Sequence, residues 1–214
     1  MPSPLPTDAD RLPPPLLEAI ASRGNVRTYP ANAILINEGD ATDSLYIVLS
    51  GRLCVYATGE NGREVVLAEH GAGHYIGELS LDGEPRSASV KALEPSRCCV
   101  VPGSDLRAFL LEHPDFALFL SAKLIRMVRR LTEQVKSLAL QDVYGRVARL
   151  LVELSDPVGD ERVLRHRLTQ QDIAARVGSS REMVNRVLKE LVTGGYVSVR
   201  DGRHVIHKKL PAAW

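Results

Sequence analysis

The feature that most constrains the fold is a helical repeat of apolar and small side chains within residues 116–141. These side chains recur at spacings of four and three residues, at Ala117, Ser121, Leu124, Val128, Leu131, Val135 and Leu138. This spacing is typical of a coiled-coil seam, where one helix packs along another. At about 1.5 Å per residue the helix is roughly 39 Å long, which is more than one small core needs. We therefore predict a dimerisation helix over residues 114–141, with its seam at Leu124, Val128, Leu131, Val135 and Leu138.

The alternative is a core helix that is buried within one subunit. Phe116, Phe119, Leu120 and Ile125 lie off the seam, which indicates that part of the helix packs on its own domain. A helix that is apolar on two sides near its start serves both purposes. Pro114, just before the repeat, suits the first turn of a helix.

The charge balance differs between the two parts of the chain. The 214 residues, 44% of them hydrophobic, are enough for one large or two ordinary globular domains. Residues 142–214 carry 13 Lys and Arg against 9 Asp and Glu, a net +4, whereas residues 1–141 carry 14 against 17, a net −3. A polyanion is therefore expected to bind the C-terminal part. No apolar run approaches ~18 residues and the N-terminus does not resemble a signal peptide, so we expect a cytoplasmic protein with no membrane partner.

The part of the chain before the long helix is predicted to be mostly β-structure. Six of the 13 prolines lie in residues 1–15, which predicts a disordered arm ahead of a domain over residues 16–113. Short alternating or β-branched runs predict strands at residues 25–29, 33–37, 44–50, 52–57, 64–69, 88–93 and 97–101. Asn61-Gly62 favours a tight hairpin turn, because both residues tolerate positive φ angles. Strands this short and numerous predict a barrel or double-sheet jelly roll with room for one small ligand.

Catalytic and metal-binding patterns are missing from the sequence. Cys54, Cys98 and Cys99 have no metal-ligand spacing, and side chains at adjacent strand positions point to opposite faces. We expect all three cysteines to be small core or half-buried residues. The chain also has no Ser/His/Asp arrangement, metal triad or Walker loop, so we expect neither an enzyme nor a metal site.

A helix-turn-helix is the most specific pattern in the C-terminal part. An amphipathic helix over residues 143–154 and a polar loop over 155–161 precede it. Thr169 is a good N-cap with Asp172 in the capping-box position, and Gly178 suits a sharp turn. Ser179 or Ser180 then caps a second helix over residues 181–192, whose buried stripe is Val184, Val187, Leu188 and Leu191.

The outward face of that second helix suits the major groove of DNA. Arginine can pair bidentately with guanine, and Glu182 can accept a hydrogen bond from the cytosine amino group. The alternative is a solvated face on an ordinary helical hairpin. A predicted β-hairpin over residues 196–207 favours DNA, because a basic wing contacts phosphate; the basic residues there are Arg200, Arg203, His204, Lys208 and Lys209. The predicted DNA-binding domain spans residues 142–214, and its DNA-binding residues are Thr169, Gln170, Ser180, Arg181, Glu182, Asn185, Arg186, Lys189 and Arg203.

A candidate ligand cassette lies between two predicted strands at residues 77–88. One turn of helix starting near Glu78 would offer backbone N–H groups to an anion, beside the fork-shaped cation of Arg86 and the hydroxyl of Ser87. An ionised Glu78 only accepts hydrogen bonds and so fits a sugar hydroxyl. Together with the anion-binding groups, this carboxylate predicts a site for a ribose and its phosphate. A plain surface turn with an ion pair between Glu78 and Arg86 explains the same residues, and the spacing alone favours this alternative.

Taken together, these motifs resemble the cyclic-AMP receptor protein (CRP/FNR) family of bacterial transcription regulators. The resemblance covers the cassette Gly77-Glu78-Leu79 with Arg86-Ser87-Ala88, the long helix, the hinge at residues 142–146 and the recognition helix at residues 180–186. It implies an α+β fold with an N-terminal jelly-roll β-roll that binds a cyclic nucleotide, a long dimerisation helix and a C-terminal winged helix-turn-helix.

The same resemblance implies roles for individual residues. Glu78 would bind the ribose 2′-hydroxyl, Arg86 and Ser87 the cyclic phosphate, and Gly77 and Leu79 would contribute backbone groups. The implied effector is cyclic AMP, which is not a catalytic cofactor, and the implied partners are a second copy of the chain and palindromic double-stranded DNA with TGTGA-like half-sites. Dimer symmetry independently predicts two half-sites about one helical turn, ~10 base pairs, apart. RNA polymerase is a further implied partner, through the loop at residues 156–162.

Two departures from the family pattern leave the effector open. The cassette is shorter between Glu78 and Arg86 than in the best-known members. In addition, Leu131 and Thr132 occupy the positions of the adjacent Thr-Ser pair that contacts adenine in the family. One of the two hydroxyls is therefore missing. Cyclic GMP, cyclic di-GMP, haem and nucleotide-independent DNA binding remain alternatives within the family. A regulatory subunit of an enzyme or channel is an alternative of another class, but it leaves the helix-turn-helix without a role.

Overall fold

Strands dominate the first part of the chain and helices the second. The computed structural model describes residues 8–211, which form two units, residues 8–127 and 128–211. The strands of the first unit are β1 (Asn25–Tyr29), β2 (Ile34–Ile36), β3 (Leu45–Ser50), β4 (Arg52–Thr58), β5 (Glu64–Gly71), β6 (Tyr75–Ile76), β7 (Ser89–Ala92) and β8 (Ser96–Val101). Its helices are α1 (Pro14–Ala21), α2 (Gly103–Glu112) and the start of α3 (Pro114–Leu140), with 3-10 helices at Asp8–Asp10 and Glu78–Asp82.

The eight strands form two antiparallel four-stranded sheets, in the orders β1-β8-β3-β6 and β2-β7-β4-β5. Alternating side chains of β3 supply two cores. Tyr46 and Val48 pack between the sheets, whereas Leu45 and Ile47 pack against the helices. This arrangement confirms the predicted two-sheet β-roll.

Each predicted strand is present to within about two residues at its ends. The hairpin between β4 and β5 turns at residues 59–62, as predicted; Gly62 has a φ of +74°, whereas Asn61 does not have a positive φ. The two-residue strand β6 and the helix α2 are additions that the prediction did not contain.

The cysteines are core residues, as predicted. Cys98 packs between the two sheets and Cys99 packs against the helices, because adjacent residues of β8 face opposite sides. All three cysteines are buried. Burial raises the pKa of Cys98 to about 11, so its thiol is protonated and unreactive near neutral pH.

The prediction of a disordered arm is wrong for residues 8–15. The carboxylate of Asp10 is fully buried and accepts a hydrogen bond from Nε of Arg126 at 2.7 Å. Leu12 lies in the helix-side core and its N–H donates to the carbonyl of Gly73 at 2.9 Å. These contacts fix the segment despite its prolines. Residues 1–7 of the predicted arm lie outside the described residues.

Helix α3 packs on its own domain along one side and exposes apolar residues along another. Phe116 and Leu120 are buried and Phe119 is half-buried in the helix-side core, as predicted. Ile125 is exposed, so the prediction that it packs on its own domain is wrong, whereas Leu124 of the predicted seam is half-buried against that core. The other four predicted seam residues are exposed, and these are Val128, Leu131, Val135 and Leu138.

The second unit packs three helices against a four-stranded sheet. The helices are α4 (Val143–Glu153), α5 (Gln170–Val177) and α6 (Arg181–Thr193), and the strands are β9 (Ser155–Val158), β10 (Glu161–Leu164), β11 (Val197–Arg200) and β12 (Arg203–Ile206). The sheet order is β11-β12-β10-β9, so the wing hairpin lies beside a second hairpin. The four predicted residues of the α6 stripe are all buried in this core.

The prediction of a loop over residues 155–161 is wrong. Residues 155–158 of this segment form strand β9, which pairs with β10 in a hairpin. The hairpin turns at Gly159, which has a φ of +61°, and β10 bonds to β12 through Arg162 and Val163. Pairing of β10 with a strand that is distant in the sequence stabilises a segment whose local sequence favours a turn. No helix among residues 8–211 combines the length and apolarity that a membrane span requires.

Candidate functional site

The cassette forms a short 3-10 helix between β6 and β7. This helix, Glu78–Asp82, begins after Gly77 and ends before Gly83, and both glycines have left-handed backbone conformations. The prediction of one helical turn starting near Glu78 is confirmed. The backbone of Arg86 is hydrogen-bonded to the loop between β2 and β3. Its N–H donates to the carbonyl of Asp40, and its carbonyl accepts from the N–H of Gly39.

The guanidinium of Arg86 is buried at the centre of the cassette, where the residue is only 5% exposed. Its Nε donates to Thr42 Oγ1 at 3.0 Å, and its Nη2 donates to the Ser44 carbonyl at 2.6 Å. Its Nη1 donates to the Gly77 carbonyl at 3.0 Å and to Ser80 Oγ at 3.2 Å. Within the described part of the chain, every acceptor of Arg86 is therefore an uncharged oxygen. Burial lowers the pKa of this guanidinium, but arginine stays charged in proteins.

The carboxylate of Glu78 pairs with a lysine that is not among the predicted ligand-binding residues. Oε1 of Glu78 lies 2.9 Å from Nζ of Lys123, and both side chains are buried. The alternative of an ion pair between Glu78 and Arg86 is therefore wrong. The cation that neutralises Glu78 comes from α3, whereas Arg86 donates to uncharged oxygens.

Lys123 had a detectable signal in the sequence. Phe116, Leu120 and Lys123 lie on one helical stripe at spacings of four and three residues, and the first two are buried. A charged residue within an apolar stripe is buried only when it has a partner. This signal indicates a buried partner but does not identify Glu78 as that partner.

The importance of the close packing and backbone conformation at Gly77 can be tested by a single substitution. A Cβ at this position would lie 2.7 Å from the Ser44 carbonyl oxygen and 2.8 Å from Arg86 Nη1, and the φ of +93° is strained for any other residue. We expect G77A to lower the free energy of unfolding by roughly 2 to 4 kcal/mol, the sum of backbone strain and overpacking. Urea unfolding followed by circular dichroism measures this loss.

Gly83 provides the matched control for that experiment. Its φ is +88°, but a Cβ there would meet no atom within 4 Å. We expect G83A to cost only the strain, about 1 to 2 kcal/mol. Equal losses for the two variants would mean that the close approach of Arg86 to Gly77 has no energetic importance.

The other predicted ligand-binding residues have different surroundings. Ser87 is exposed beside Arg86, and Leu79 is exposed on the 3-10 helix. Leu131 and Thr132 belong to the unit of residues 128–211; Leu131 is exposed, and the hydroxyl of Thr132 donates to the Val128 carbonyl one turn earlier at 3.0 Å. Their contact with a nucleotide stays a prediction.

The helix-turn-helix has the predicted caps and turn. Thr169 Oγ1 accepts from the N–H of Asp172, and Asp172 accepts from the N–H of Thr169 in return, which completes the capping box. Ser180 Oγ caps α6 by accepting from the N–H of Met183 at 3.2 Å. Gly178 has a φ of +64°, and a Cβ there would lie 3.1 Å from a methyl group of Leu138. A larger residue would therefore disturb both the turn and its packing.

The outward face of α6 presents four exposed charged side chains, which are Arg181, Glu182, Arg186 and Lys189. Arg186 makes a surface ion pair with Glu190 at 3.3 Å. Asn185 is half-buried and accepts from Gln170 Nε2 at 3.0 Å. The polar atoms of Gln170 and Asn185 thus join α5 to α6, a use that the sequence pattern did not indicate.

The wing has the predicted tight turn but fewer available cations than expected. Asp201 and Gly202 have φ angles of +53° and +73° between β11 and β12, and Arg203 is exposed at the turn. His204 is buried and burial lowers its pKa, so its predicted place among the basic residues is wrong. Arg200 forms a two-bond ion pair with Glu161.

The hinge residues hold the end of α3 to the helix-turn-helix. Asp142 caps α4 by accepting from the N–H of Gly145 at 2.7 Å. Arg146 is buried and donates to the carbonyls of Gln141 and Val177, at 2.7 and 2.9 Å. The Asp142–Arg146 motif therefore fixes the peptide between α3 and α4 against the C-terminal end of α5.

No group of three His, Cys, Asp or Glu side chains in the described ranges could hold a metal ion. His70 and His74, which lie nearest the cassette in sequence, are both buried, and their ring centroids are 6.0 Å apart.

Comparison with known families agrees with both halves of the site. Residues 26–113 match the model of the cyclic nucleotide-binding domain, and residues 145–212 match the model of the Crp-like helix-turn-helix domain. Together these matches include the cassette, the recognition helix and the wing.

Similar proteins cover almost the whole chain. The cAMP-activated global transcriptional regulator CRP of Pasteurella multocida is 31% identical over 198 residues, which cover 90% of this chain and 95% of that protein. A CRP-like cAMP-activated global transcriptional regulator of Mycobacterium tuberculosis is also 31% identical, over 90% of this chain and 88% of its own. The solved structure of the c-di-GMP responsive global regulator CLP of Xanthomonas campestris has a TM-score of 0.83 and 26% identity, over 91% of this chain and 99% of that one. This chain therefore belongs to the CRP/FNR family of transcription regulators.

Proposed function

We propose that this chain is a homodimeric, cytoplasmic regulator whose affinity for specific DNA is set by cyclic AMP bound in the β-roll. The observation that carries the proposal is the buried guanidinium of Arg86, whose acceptors within residues 8–211 are all uncharged oxygens. A buried cation without a carboxylate partner favours an anionic ligand. A cyclic nucleotide has one phosphate charge and would supply the missing anion.

The neighbouring residues complete a site for such a ligand. Arg86 and the exposed Ser87 would bind the phosphate oxygens, with backbone contacts from Gly77 and Leu79. Glu78, whose charge is neutralised by Lys123, would accept a hydrogen bond from the ribose 2′-hydroxyl. Thr132 would meet the base, as its position in the family pattern implies.

The effector and the DNA must be coupled through two states of the dimer. A ligand shifts such an equilibrium only by binding one state more tightly than the other, and the coupling is typically about 1 to 3 kcal/mol. We propose that the nucleotide does this by changing how the α3 helices of two copies pair along the seam. The recognition helices α6 would then fit successive major grooves at two TGTGA-like half-sites, and the hairpin around residues 156–162 would be available to RNA polymerase.

A second effector is favoured by a specific observation. Leu131 stands where the family pattern has one of two hydroxyls that contact adenine, and the structurally similar regulator CLP responds to c-di-GMP. Cyclic di-GMP carries two phosphate charges and would need a second cation beside Arg86. Cyclic GMP is the third ligand to compare.

The test is a titration of a fluorescent DNA duplex that contains the TGTGA palindrome, at fixed salt because phosphate contacts make affinity salt-dependent. We expect cyclic AMP to tighten binding by about 5- to 150-fold. 5′-AMP, which lacks the cyclic phosphate, and a scrambled duplex serve as controls. A response to cyclic GMP or cyclic di-GMP alone would replace the proposed effector, and tight DNA binding that ignores all three would refute control by a nucleotide.

A further inference from the structure

We infer that Lys123 determines specificity for ribonucleotides, because its buried ammonium holds Glu78 where that carboxylate accepts the ribose 2′-hydroxyl. The inference rests on the proposed function. Lys123 lies on α3, outside the cassette that gives the family its recognisable pattern. It therefore adds a residue from the long helix to the nucleotide site.

The position of the Lys123 ammonium is defined on three sides. Nζ lies 2.9 Å from Glu78 Oε1 and 2.7 Å from the carbonyl oxygen of Tyr75. It also lies 3.6 Å from the centroid of the Tyr75 ring, where a cation is attracted to the ring face. With the residue only 1% exposed, water does not compete for it.

This contact controls what Glu78 can do. A buried carboxylate needs a close cation or hydrogen-bond donors to remain ionised and in place. Arg86 forms no ion pair with Glu78 in the described structure, since its N–H groups donate to oxygens of Thr42, Ser44, Gly77 and Ser80. The ion pair with Lys123 is made through Oε1, so Oε2 can accept from a ligand. Lys123 thus holds the Glu78 carboxylate at a defined place, which favours a ribose over a 2′-deoxyribose.

A lysine with only a structural role would behave differently. Its loss would weaken the binding of ribose and deoxyribose ligands by the same factor, because both share the phosphate and the base. A lysine that positions Glu78 changes the ratio of the two dissociation constants. That ratio, measured with cyclic AMP and 2′-deoxy cyclic AMP, is therefore the diagnostic quantity.

The experiment is calorimetric titration of the full chain and of four variants: K123M, E78Q, the double variant E78Q/K123M, and K136M. In the unmutated protein we expect cyclic AMP to bind at least about tenfold more tightly than its 2′-deoxy analogue, as a hydrogen bond to a charged group predicts. K123M should lower this ratio to about threefold or less. In the E78Q background the K123M substitution should leave the ratio unchanged, because Lys123 acts through Glu78.

K136M is the matched control. Lys136 is on the same helix and pairs with Glu133 at 2.8 Å, but both side chains are exposed, so the ratio should stay at the unmutated value. If K123M does not fold, K123Q provides the same comparison, since it keeps an N–H donor for the Tyr75 carbonyl while removing the charge.

The outcomes separate the two proposals. If the unmutated protein binds neither cyclic AMP nor its analogue, the proposed function is wrong and the inference fails with it. If the protein binds cyclic AMP and K123M keeps the full ratio, only the inference is overturned. Tighter binding of cyclic AMP by K123M would also overturn it, since Lys123 would then compete with the nucleotide for Glu78.

Discussion

Replacing Arg181 and Arg186 together by alanine is expected to abolish the preference of the protein for its palindrome over unrelated DNA. Both side chains are exposed on the outward face of α6, whose opposite face is buried in the core of the second unit. Each bidentate contact to a base edge is worth about 1 to 3 kcal/mol of discrimination. Two lost contacts per half-site correspond to a loss of at least roughly 30-fold in relative affinity.

The fold should survive this double substitution. Arg186 makes a surface ion pair with Glu190, and such a pair contributes only about 0.3 to 0.5 kcal/mol. Alanine also favours a helix at least as well as arginine. We therefore expect thermal unfolding to change little, which lets a loss of DNA binding be assigned to the lost contacts.

Fluorescence anisotropy with specific and scrambled duplexes measures the effect. Lys136→Ala is the control, because it also removes an exposed cation with a surface ion pair but lies on α3, away from the recognition helix. Residual binding to both duplexes through phosphate contacts is expected. Selective binding that persists in the Arg181/Arg186 variant would mean that α6 does not read the bases.

Elements with a strong local pattern were predictable from the sequence. The strands β1 to β5 alternate or carry β-branched residues, and both helices of the helix-turn-helix have their own caps and buried stripe. Local chemistry and tertiary packing agree at these elements, and the predicted bounds differ from the observed ones by at most two residues. The helical turn that starts at Glu78 was also predictable, whereas the left-handed conformation of Gly77 is a finding of the structure.

The missed features depend on partners that are distant in the chain. Helical periodicity places Lys123 on a face of α3 but does not show that the carboxylate of Glu78, 45 residues earlier, lies opposite it. His204 looks like a wing cation, yet strand alternation turns its side chain into the core. Similarly, β9 forms because β10 pairs with β12. Composition and spacing cannot reveal such pairings.

Placing a charge on the predicted seam is expected to separate the dimer into monomers. Val128 and Val135 are 62% and 65% exposed in the single chain and lie one heptad apart on α3, so a second helix would bury both. A glutamate at either position would bring a carboxylate into that apolar contact without a partner, which costs several kcal/mol. We expect V128E/V135E to raise the dissociation constant of the dimer by at least ~100-fold.

Sedimentation equilibrium measures this change, and the α-helical signal in circular dichroism should stay the same because glutamate favours helices. Val158→Glu is the control, since Val158 is a comparably exposed valine, at 58%, on β9. The monomeric variant should also lose affinity for the palindrome while keeping weak binding to a single half-site, because two recognition helices would no longer be joined. A variant that remains dimeric would show that the exposed stripe of α3 is not the dimer interface.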